Sequence, residues 1–288
     1  MSSAAKNPKI SGPGVVHSIG RFVGTHLRGT PGVDRFLRGL HDPDGRRESW
    51  METVSSPWHG GPRFHISTRW FTEWTTWFYG TQDVEIYEWV IKHARSEWVA
   101  LDIGMNFGFF ACLLAQRCSA VYGFEPVPWL AKRAQANGEL NGFNNLTITE
   151  MALSDRTGKV MLHIPSENDA NWGTSSLTRE SGEGAAPIEV PTDTLDNFAG
   201  RAGFKRVDFI KLDVEGAEFM VLKGGAQTLA KFKPVIIFER NAESAGPIMD
   251  LLSRLGYEFF DLKENPLEAA RKSLPSDILA VARGPALP

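Results

Sequence analysis

The stretch WVALDIGMNFGFFACLLA, residues 98–115, decides the fold. An apolar run ends at Asp102, glycines follow at Gly104 and Gly108, and a second apolar run begins directly after them. A buried strand, a tight glycine turn and a helix account for this order. In open parallel sheets, ligands bind at the turns that follow the carboxyl ends of the strands. The stretch therefore predicts an α/β protein that holds a ligand at the turn between Gly104 and Gly108.

The chain after this turn continues to alternate between strands and helices, which predicts a mainly parallel, doubly wound sheet. The segment before the last strand is polar and lacks a helix-length apolar run, which favours an antiparallel pair at one sheet edge. A polar insert at about 155–192 interrupts the alternation and is predicted to contain one or two short strands, from KVMLHI and APIEVP. The predicted strands of the main sheet are 98–103, 120–125, 146–152, 207–213, 234–239, 257–262 and 277–283.

The residues before about position 80 differ in composition from the rest. Residues 1–33 are rich in Gly, Ser and Pro and are predicted to form a loose lead-in. Residues 34–80 form an aromatic-rich extension, which leaves 81–288 as the main domain. An alternative for the lead-in is a short basic amphipathic helix that touches a membrane surface, although two glycines weaken it. The apolar stripe of that helix is Ile19, Phe22, Val23 and Leu27.

Three tryptophans of the extension, Trp70, Trp74 and Trp77, have the spacing of one helical face. Two roles are open to them: a cap over the core, or an aromatic wall over an acceptor pocket.

Composition and charge limit the classes of function. The 288 residues carry a net charge of −3, although residues 1–50 hold eight Lys/Arg and four acids. A nucleic-acid-binding protein usually has a clear basic excess, so no nucleic-acid partner is expected. The two cysteines, Cys112 and Cys118, are expected to be buried thiols, which is typical of a cytoplasmic protein. No apolar run reaches the roughly 20 residues that span a membrane.

The residues around the turn indicate which ligand it holds. A dinucleotide fingerprint needs a glycine where this chain has Asn106. Acids follow the predicted strands at Asp102, Glu125, Asp213 and Glu215, and they would repel a pyrophosphate. S-adenosylmethionine (SAM) has a sulfonium, an ammonium and two ribose hydroxyls, and no phosphate. Glu125 ends the second strand, where an acid can accept hydrogen bonds from both hydroxyls.

The sequence resembles the FkbM family of SAM-dependent methyltransferases over roughly residues 80–262. The motifs that carry the resemblance are LDIGMNFGFFACLLA, VYGFEPVP, MALSDRTGKVML, GTSSL, VPTDTLDNF, DFIKLDVEGAEFMVLKGG and PVIIFER.

The resemblance implies a Rossmann-like, seven-stranded sheet in the order 3-2-1-4-5-7-6, with strand 7 antiparallel. It also implies roles for individual residues. Glu125 would bind the ribose, Asp155 would lie near the adenine amine, and Asp213 would lie beside the methyl group. The methionine part of SAM would contact Asp102, Gly104, Asn106 and Gly108.

Methyl transfer to a hydroxyl requires alignment of donor and acceptor and a group that takes the hydroxyl proton. Asp213 and Glu215 are the candidate catalytic residues, because alternate residues of an extended segment point the same way. Glu215 has a second interpretation, as a first-turn acid that the helix dipole stabilises. Glu218 either caps the next helix or pairs with Lys223.

Other polar residues are weaker candidates. Glu239 and Arg240 end the next strand, where they either bind the acceptor or form an internal ion-pair network. His163 and Trp172 lie in the insert, which is expected to cover part of the acceptor. Asp213 and Glu239 with a third acid would offer one metal site. The chain has no H-x-x-E or cysteine cluster, so no metal is expected.

The sequence therefore predicts a SAM-dependent methyltransferase that acts on oxygen of a small molecule, a sugar or a lipid-linked glycan. Three alternatives are an NAD-dependent oxidoreductase, a protein with this fold that binds without catalysis, and a nucleic-acid methyltransferase. Asn106 and the acids count against the first, and the intact turn with Glu125 counts against the second. The third would need an N/D-P-P-Y/F motif and a basic surface, which the sequence lacks.

Overall fold

The computed structural model describes residues 15–27, 30–40, 51–55, 60–67, 70–81, 83–163, 187–240, 245–267 and 274–284. The chain divides into two compact units. The first comprises Met1–Val84 with Pro165–Thr174, and the second comprises Glu85–Ile164 with Ser175–Pro288. None of the described helices is long and apolar enough to cross a membrane.

The described residues of the first unit form a two-stranded antiparallel sheet and three helices. Its elements are α1 (Val15–His26), α2 (Val33–Arg38), β1 (Met51–Ser55), β2 (Arg63–Ser67) and α3 (Phe71–Tyr79). The expectation of a loose lead-in is wrong for 15–26, which form α1. Residues 1–14 and 28–29 lie outside the described residues.

The tryptophans of α3 fit the first of their two predicted roles. Trp74 and Trp77 are buried, and Trp70 is half-buried. Trp74 packs against Phe78, with ring centroids 5.3 Å apart. Trp74 and Trp77 therefore pack into the core of the first unit, which is one of the two roles that their spacing left open.

The second unit contains the main sheet and the insert. Its elements are α4 (Val84–His93), β3 (Val99–Ile103), α5 (Phe109–Ala115), β4 (Ala120–Phe124), α6 (Pro128–Leu140), β5 (Leu146–Thr149), β6 (Ala152–Leu153), β7 (Gly158–His163), β8 (Pro187–Asp193), α7 (Leu195–Ala202), β9 (Phe209–Leu212), α8 (Glu218–Gly224), α9 (Ala226–Phe232), β10 (Val235–Glu239), α10 (Ala245–Arg254), β11 (Tyr257–Phe260) and β12 (Asp277–Ala282).

Seven strands form the main sheet in the order β11-β12-β10-β9-β3-β4-β5. Numbered along the chain, this order is 3-2-1-4-5-7-6, and β12 runs antiparallel to both of its neighbours. The other pairs are parallel. The predicted Rossmann-like fold is therefore confirmed. The carboxyl ends of β3, β4 and β9 lie side by side at the same end of the sheet.

The core of the second unit explains why the central strands read as continuous apolar runs. Helices cover both faces of a doubly wound sheet, so every residue of a central strand is buried. All four residues of β9 are buried, and Leu101, Ile103 and Phe124 join Ile210 in one cluster.

Two local predictions need correction. The helix predicted over 216–231 is two helices, because the chain bends at Gly225 and a new helix, α9, begins there. Asp196 starts α9 by accepting hydrogen bonds from the backbone of Gln227 and Thr228, at 3.1 and 2.7 Å. The strand predicted over 146–152 is two strands, β5 and β6, and β6 joins β7 and β8 in a second, three-stranded sheet. Residues 164–186, with Trp172 and GTSSL, lie outside the described residues.

The cysteines are the buried thiols that the sequence predicted. Cys112 and Cys118 are both buried and free. Burial raises the pKa of each thiol to about 12. Neither side chain therefore has a reactive thiolate near neutral pH.

Candidate active site

The turn after β3 is built from three residues in the left-handed backbone region. Gly104, Asn106 and Gly108 have φ of +83°, +52° and +87°. Asn106 tolerates this conformation because its short amide bonds locally, and its Oδ1 accepts from the backbone N–H of Phe107 at 2.7 Å. The position where a dinucleotide fingerprint has glycine thus keeps the left-handed backbone and adds a polar side chain.

Gly104 joins the turn to the neighbouring strands. Its N–H and that of Met105 both donate to the carbonyl of Phe124, at 2.9 and 3.1 Å. A β-carbon at position 104 would lie 1.8 Å from the carbonyl oxygen of Asp213, so only glycine fits there. The close approach places the turn directly beside Asp213, which follows β9.

Glu125 holds the other side of the turn. Its carboxylate accepts from the backbone N–H groups of Asn106 and Val127, each at 3.0 Å. Burial raises its pKa to about 7, and the two amides oppose that rise. Each carboxylate oxygen has two acceptor sites, so one on each oxygen is left for a further donor. Glu125 therefore shapes the turn and can still accept from two hydroxyls.

Asp102 and Lys211 form a buried pair of opposite charges beneath the turn. They are register partners in β3 and β9, so their side chains lie on the same face of the sheet. Neither oxygen of Asp102 has a hydrogen-bond partner of ordinary geometry among the described residues, although the Ala111 amide favours its charged form. Burial raises the pKa of Asp102 to about 6, and Lys211 opposes the rise.

Lys211 also connects Asp102 to the acids above it. Its Nζ lies 3.0 Å from Oδ2 of Asp213 and 5.0 Å from the ring centroid of Phe110. The sequence analysis did not select this residue. A lysine inside the apolar strand FIKL was the available signal, because lysine is almost never buried unless it is paired.

Three acids meet at the mouth of the site. Carboxylate oxygens of Asp213, Glu215 and Glu239 lie within 4.8 Å of one another, close enough to hold a metal ion. Glu239 is exposed at the end of β10, yet partial desolvation of its carboxyl group, followed by the charges of Asp213 and Glu215, raises its pKa to about 8. A hydrogen bond with Asp213 is one of the smaller contributions to that rise.

Lys211 already supplies one positive charge beside this cluster, 3.0 Å from Oδ2 of Asp213. The expectation that no metal is needed therefore stays a prediction. Loss of activity on addition of a chelator would contradict it.

The loop after β9 settles two alternatives from the sequence. Glu218 accepts from the backbone N–H groups of Val214 and Gly216, at 3.2 and 3.0 Å, so it caps the loop. Lys223 instead pairs with Asp155, at 2.9 Å. Glu215 precedes α8 and has a φ of +51°, so it is not a first-turn helix acid.

The remaining candidates lie around the cluster or away from it. Asp277, which the sequence analysis missed, is the register partner of Glu239, and burial raises its pKa. Arg240 donates from Nε to the carbonyl of Pro275 at 3.0 Å, which ties the end of β10 to the start of β12. His163 is half-buried at the end of β7.

The comparisons with known proteins agree on one type of domain. The model of the methyltransferase FkbM domain matches residues 102–259. The 2-O-methyltransferase NoeI of Sinorhizobium fredii is 34% identical over 147 residues, which are 46% of this chain and 59% of NoeI. The hexuronic acid methyltransferase AglP of Haloferax volcanii is 28% identical over 158 residues, which are 55% of this chain and 62% of AglP. This chain thus spans about three fifths of the length of both relatives.

One solved structure extends the same comparison. The crystal structure of methyltransferase FkbM from Methylobacillus flagellatus aligns with a TM-score of 0.41 and 14% identity. The alignment covers 72% of this chain and 54% of that chain.

Proposed function

This chain belongs to the FkbM family of methyltransferases, and from that premise we propose that it methylates a hydroxyl oxygen of a sugar, a small molecule or a lipid-linked glycan. Membership confirms the methyltransferase prediction and, with it, SAM as the cofactor. One observation carries the choice of a hydroxyl acceptor: carboxylate oxygens of Asp213, Glu215 and Glu239 lie within 4.8 Å of one another, and the backbone of Asp213 lies directly beside the glycine turn.

The names of the relatives support an oxygen acceptor on a sugar. NoeI is a 2-O-methyltransferase, and AglP methylates a hexuronic acid. Family membership also removes the ground for an oxidoreductase. The alternative of binding without catalysis is tested by turnover, since a protein that only binds would transfer no methyl group.

The residues of the turn fit SAM. Because only glycine fits at position 104, no side chain covers the backbone of the turn there. Glu125, directly after β4, offers two free acceptor sites. Asp102 is fully buried, so we assign it an electrostatic role through its negative charge beneath the turn. Asp155 is held by Lys223 after β6 and stays our candidate for the adenine amine.

SAM, when bound, supplies an electrophilic methyl carbon attached to a positively charged sulfur. The chain has to orient the acceptor hydroxyl in line with that bond and take its proton. Asp213 is the group we assign to both tasks. Nζ of Lys211 lies 3.0 Å from its Oδ2, and carboxylate oxygens of Glu215 and Glu239 lie within 4.8 Å of its own. Glu215 lies within the same cluster and positions the acceptor.

Glu125→Ala is expected to weaken SAM binding at least about tenfold, a loss of about 1.4 kcal/mol. The variant loses the ribose acceptor and the carboxylate that holds the Asn106 amide. Isothermal titration with SAM measures the change, and Glu139→Ala on the exposed face of α6 is the control. An unchanged dissociation constant in Glu125→Ala would refute the ribose assignment.

The pKa of Glu125, about 7, also predicts how SAM binding depends on pH. The ionised carboxylate is the form that accepts two hydroxyl donors, and the free protein binds a proton there below pH 7. Affinity should therefore fall by up to about tenfold for each pH unit below 7. Titration calorimetry between about pH 7 and about pH 6, the pKa values of Glu125 and Asp102, measures the slope, which should be much smaller in Glu125→Gln.

Lys211→Met is expected to lower kcat by about tenfold at neutral pH, with little change in KM. Loss of the buried cation removes the ion pair with Asp213 and the charge that opposes the rise in the pKa of Asp102, so the acidic limb of the activity profile should move to higher pH. Lys231→Met is the matched control, because that lysine also lies over an aromatic ring, Phe232 at 4.6 Å, but far along the chain on α9. A uniform loss of activity with an unmoved pH limb would reduce Lys211 to a structural role.

A further inference from the structure

Helix α1 exposes its large apolar side chains. Val15, Val16, Ile19 and Phe22 are 76%, 55%, 52% and 61% exposed. At 100° per residue these side chains share one side of the helix. Leu27, just past the helix end, is 47% exposed. An amphipathic helix of a globular protein normally turns such a face inward, so this arrangement is reversed.

The opposite side of α1 explains how the helix is rotated about its own axis. Gly20 and Gly24 are buried, and they face α3. A β-carbon at Gly24 would lie 2.2 Å from the carbonyl oxygen of Phe78, and one at Gly20 would lie 2.7 Å from the Phe78 ring. Only the glycine side can approach α3 this closely. The two glycines that argued against a helix in the sequence therefore fix its rotation and force the apolar side outward.

The sequence that contains this helix is basic. Residues 1–40 contain six Lys/Arg and one acid, although the whole chain has a net charge of −3. Arg35 and Arg38 on α2 are exposed, and so is His26, which stacks on Phe22 with ring centroids 4.4 Å apart. Exposed arginines on α2, a helix that contacts α1, together with an exposed apolar stripe on α1 match a surface that is apolar beneath a layer of negative charge.

We propose that the exposed face of α1, formed by Val15, Val16, Ile19 and Phe22, docks on an anionic phospholipid membrane surface. The apolar side chains enter the boundary between headgroups and acyl chains, and the neighbouring arginines contact the headgroups. A second copy of the chain would bring its own excess of positive charge against the first, which disfavours it as the occupant. The contact is reversible, because one short helix without a lipid anchor binds weakly.

Sedimentation with sucrose-loaded vesicles tests the proposal on the full chain. Vesicles of phosphatidylcholine containing roughly 30% phosphatidylserine should bind it, and vesicles of phosphatidylcholine alone should bind it much less. The double variant Ile19→Ser, Phe22→Ser should lower the binding constant by about tenfold or more, because both side chains leave the apolar phase. Arg35→Gln and Arg38→Gln should each lower it by about fivefold.

The control and the contrary outcomes are equally specific. Met161→Ser removes a side chain that is 50% exposed on β7 in the second unit, and it should leave vesicle binding unchanged. Absence of binding to both vesicle types would overturn the proposal. So would a dimer, measured by light scattering, that dissociates in the Ile19→Ser, Phe22→Ser variant. Methyl transfer to a water-soluble acceptor should persist in that variant, which separates this proposal from the proposed function.

Discussion

Asp213→Asn should lower kcat by about a hundredfold or more and change the dissociation constant of SAM by less than about threefold. The amide keeps the size of the carboxyl group and can still accept from Nζ of Lys211, which lies 3.0 Å from Oδ2. It cannot take up a proton from an acceptor hydroxyl. Turnover with labelled SAM and a saccharide acceptor gives kcat, and isothermal titration gives the dissociation constant.

The same strand offers a matched control for Asp213→Asn. Asp208 precedes β9 at its other end, where it pairs with Arg206 at 2.7 Å. Asp208→Asn changes the same chemical group away from the turn, so kcat should stay close to that of the unmodified protein. A kcat for Asp213→Asn within a few-fold of the control would remove this residue from the proton transfer. A parallel loss of SAM affinity would place it at the cofactor instead.

Gly104→Ala should abolish measurable SAM binding, a loss of about a hundredfold or more in affinity. The added β-carbon would lie 1.8 Å from the carbonyl oxygen of Asp213, and a φ of +83° disfavours any side chain. To relieve the overlap, the turn has to separate from the end of β9. That movement displaces both the cofactor cradle and the proposed proton acceptor.

Gly142→Ala separates overlap from backbone strain. Gly142 also has a positive φ, +68°, but a β-carbon there would meet no atom within 4 Å. It should lose about 1 kcal/mol of stability and keep its SAM affinity. Thermal unfolding of both variants, followed by titration of the folded fraction, checks the pair. Equal SAM affinity in Gly104→Ala and Gly142→Ala would contradict the role of the close approach.

The fold was predictable because its signals are local and periodic. Apolar runs of strand length, separated by helical segments, locate all seven strands of the main sheet within a few residues. The polar segment after β11 predicted the antiparallel edge, and acids at the strand ends predicted where charge collects. Glu125 was found in this way, since its position depends only on the end of β4.

The parts that were missed depend on contacts between distant segments. Lys211 reads as an interruption of a strand until the register pairs it with Asp102. Glu239 and Asp277 become neighbours only because β12 runs antiparallel to β10. For α1, the glycines of a 12-residue helix argued against helix formation, because propensity alone does not show the approach to Phe78 that requires them.

Methyl transfer from SAM with an isotope-labelled methyl group, offered to a panel of saccharides and small-molecule alcohols, tests the central claim most directly. The chemical shift of the transferred carbon in the product identifies the atom that received it. We predict a methyl ether, formed by the unmodified protein and nearly lost in Asp213→Asn. A labelled methyl group on nitrogen or carbon, or equal amounts of ether from both proteins, would contradict the account.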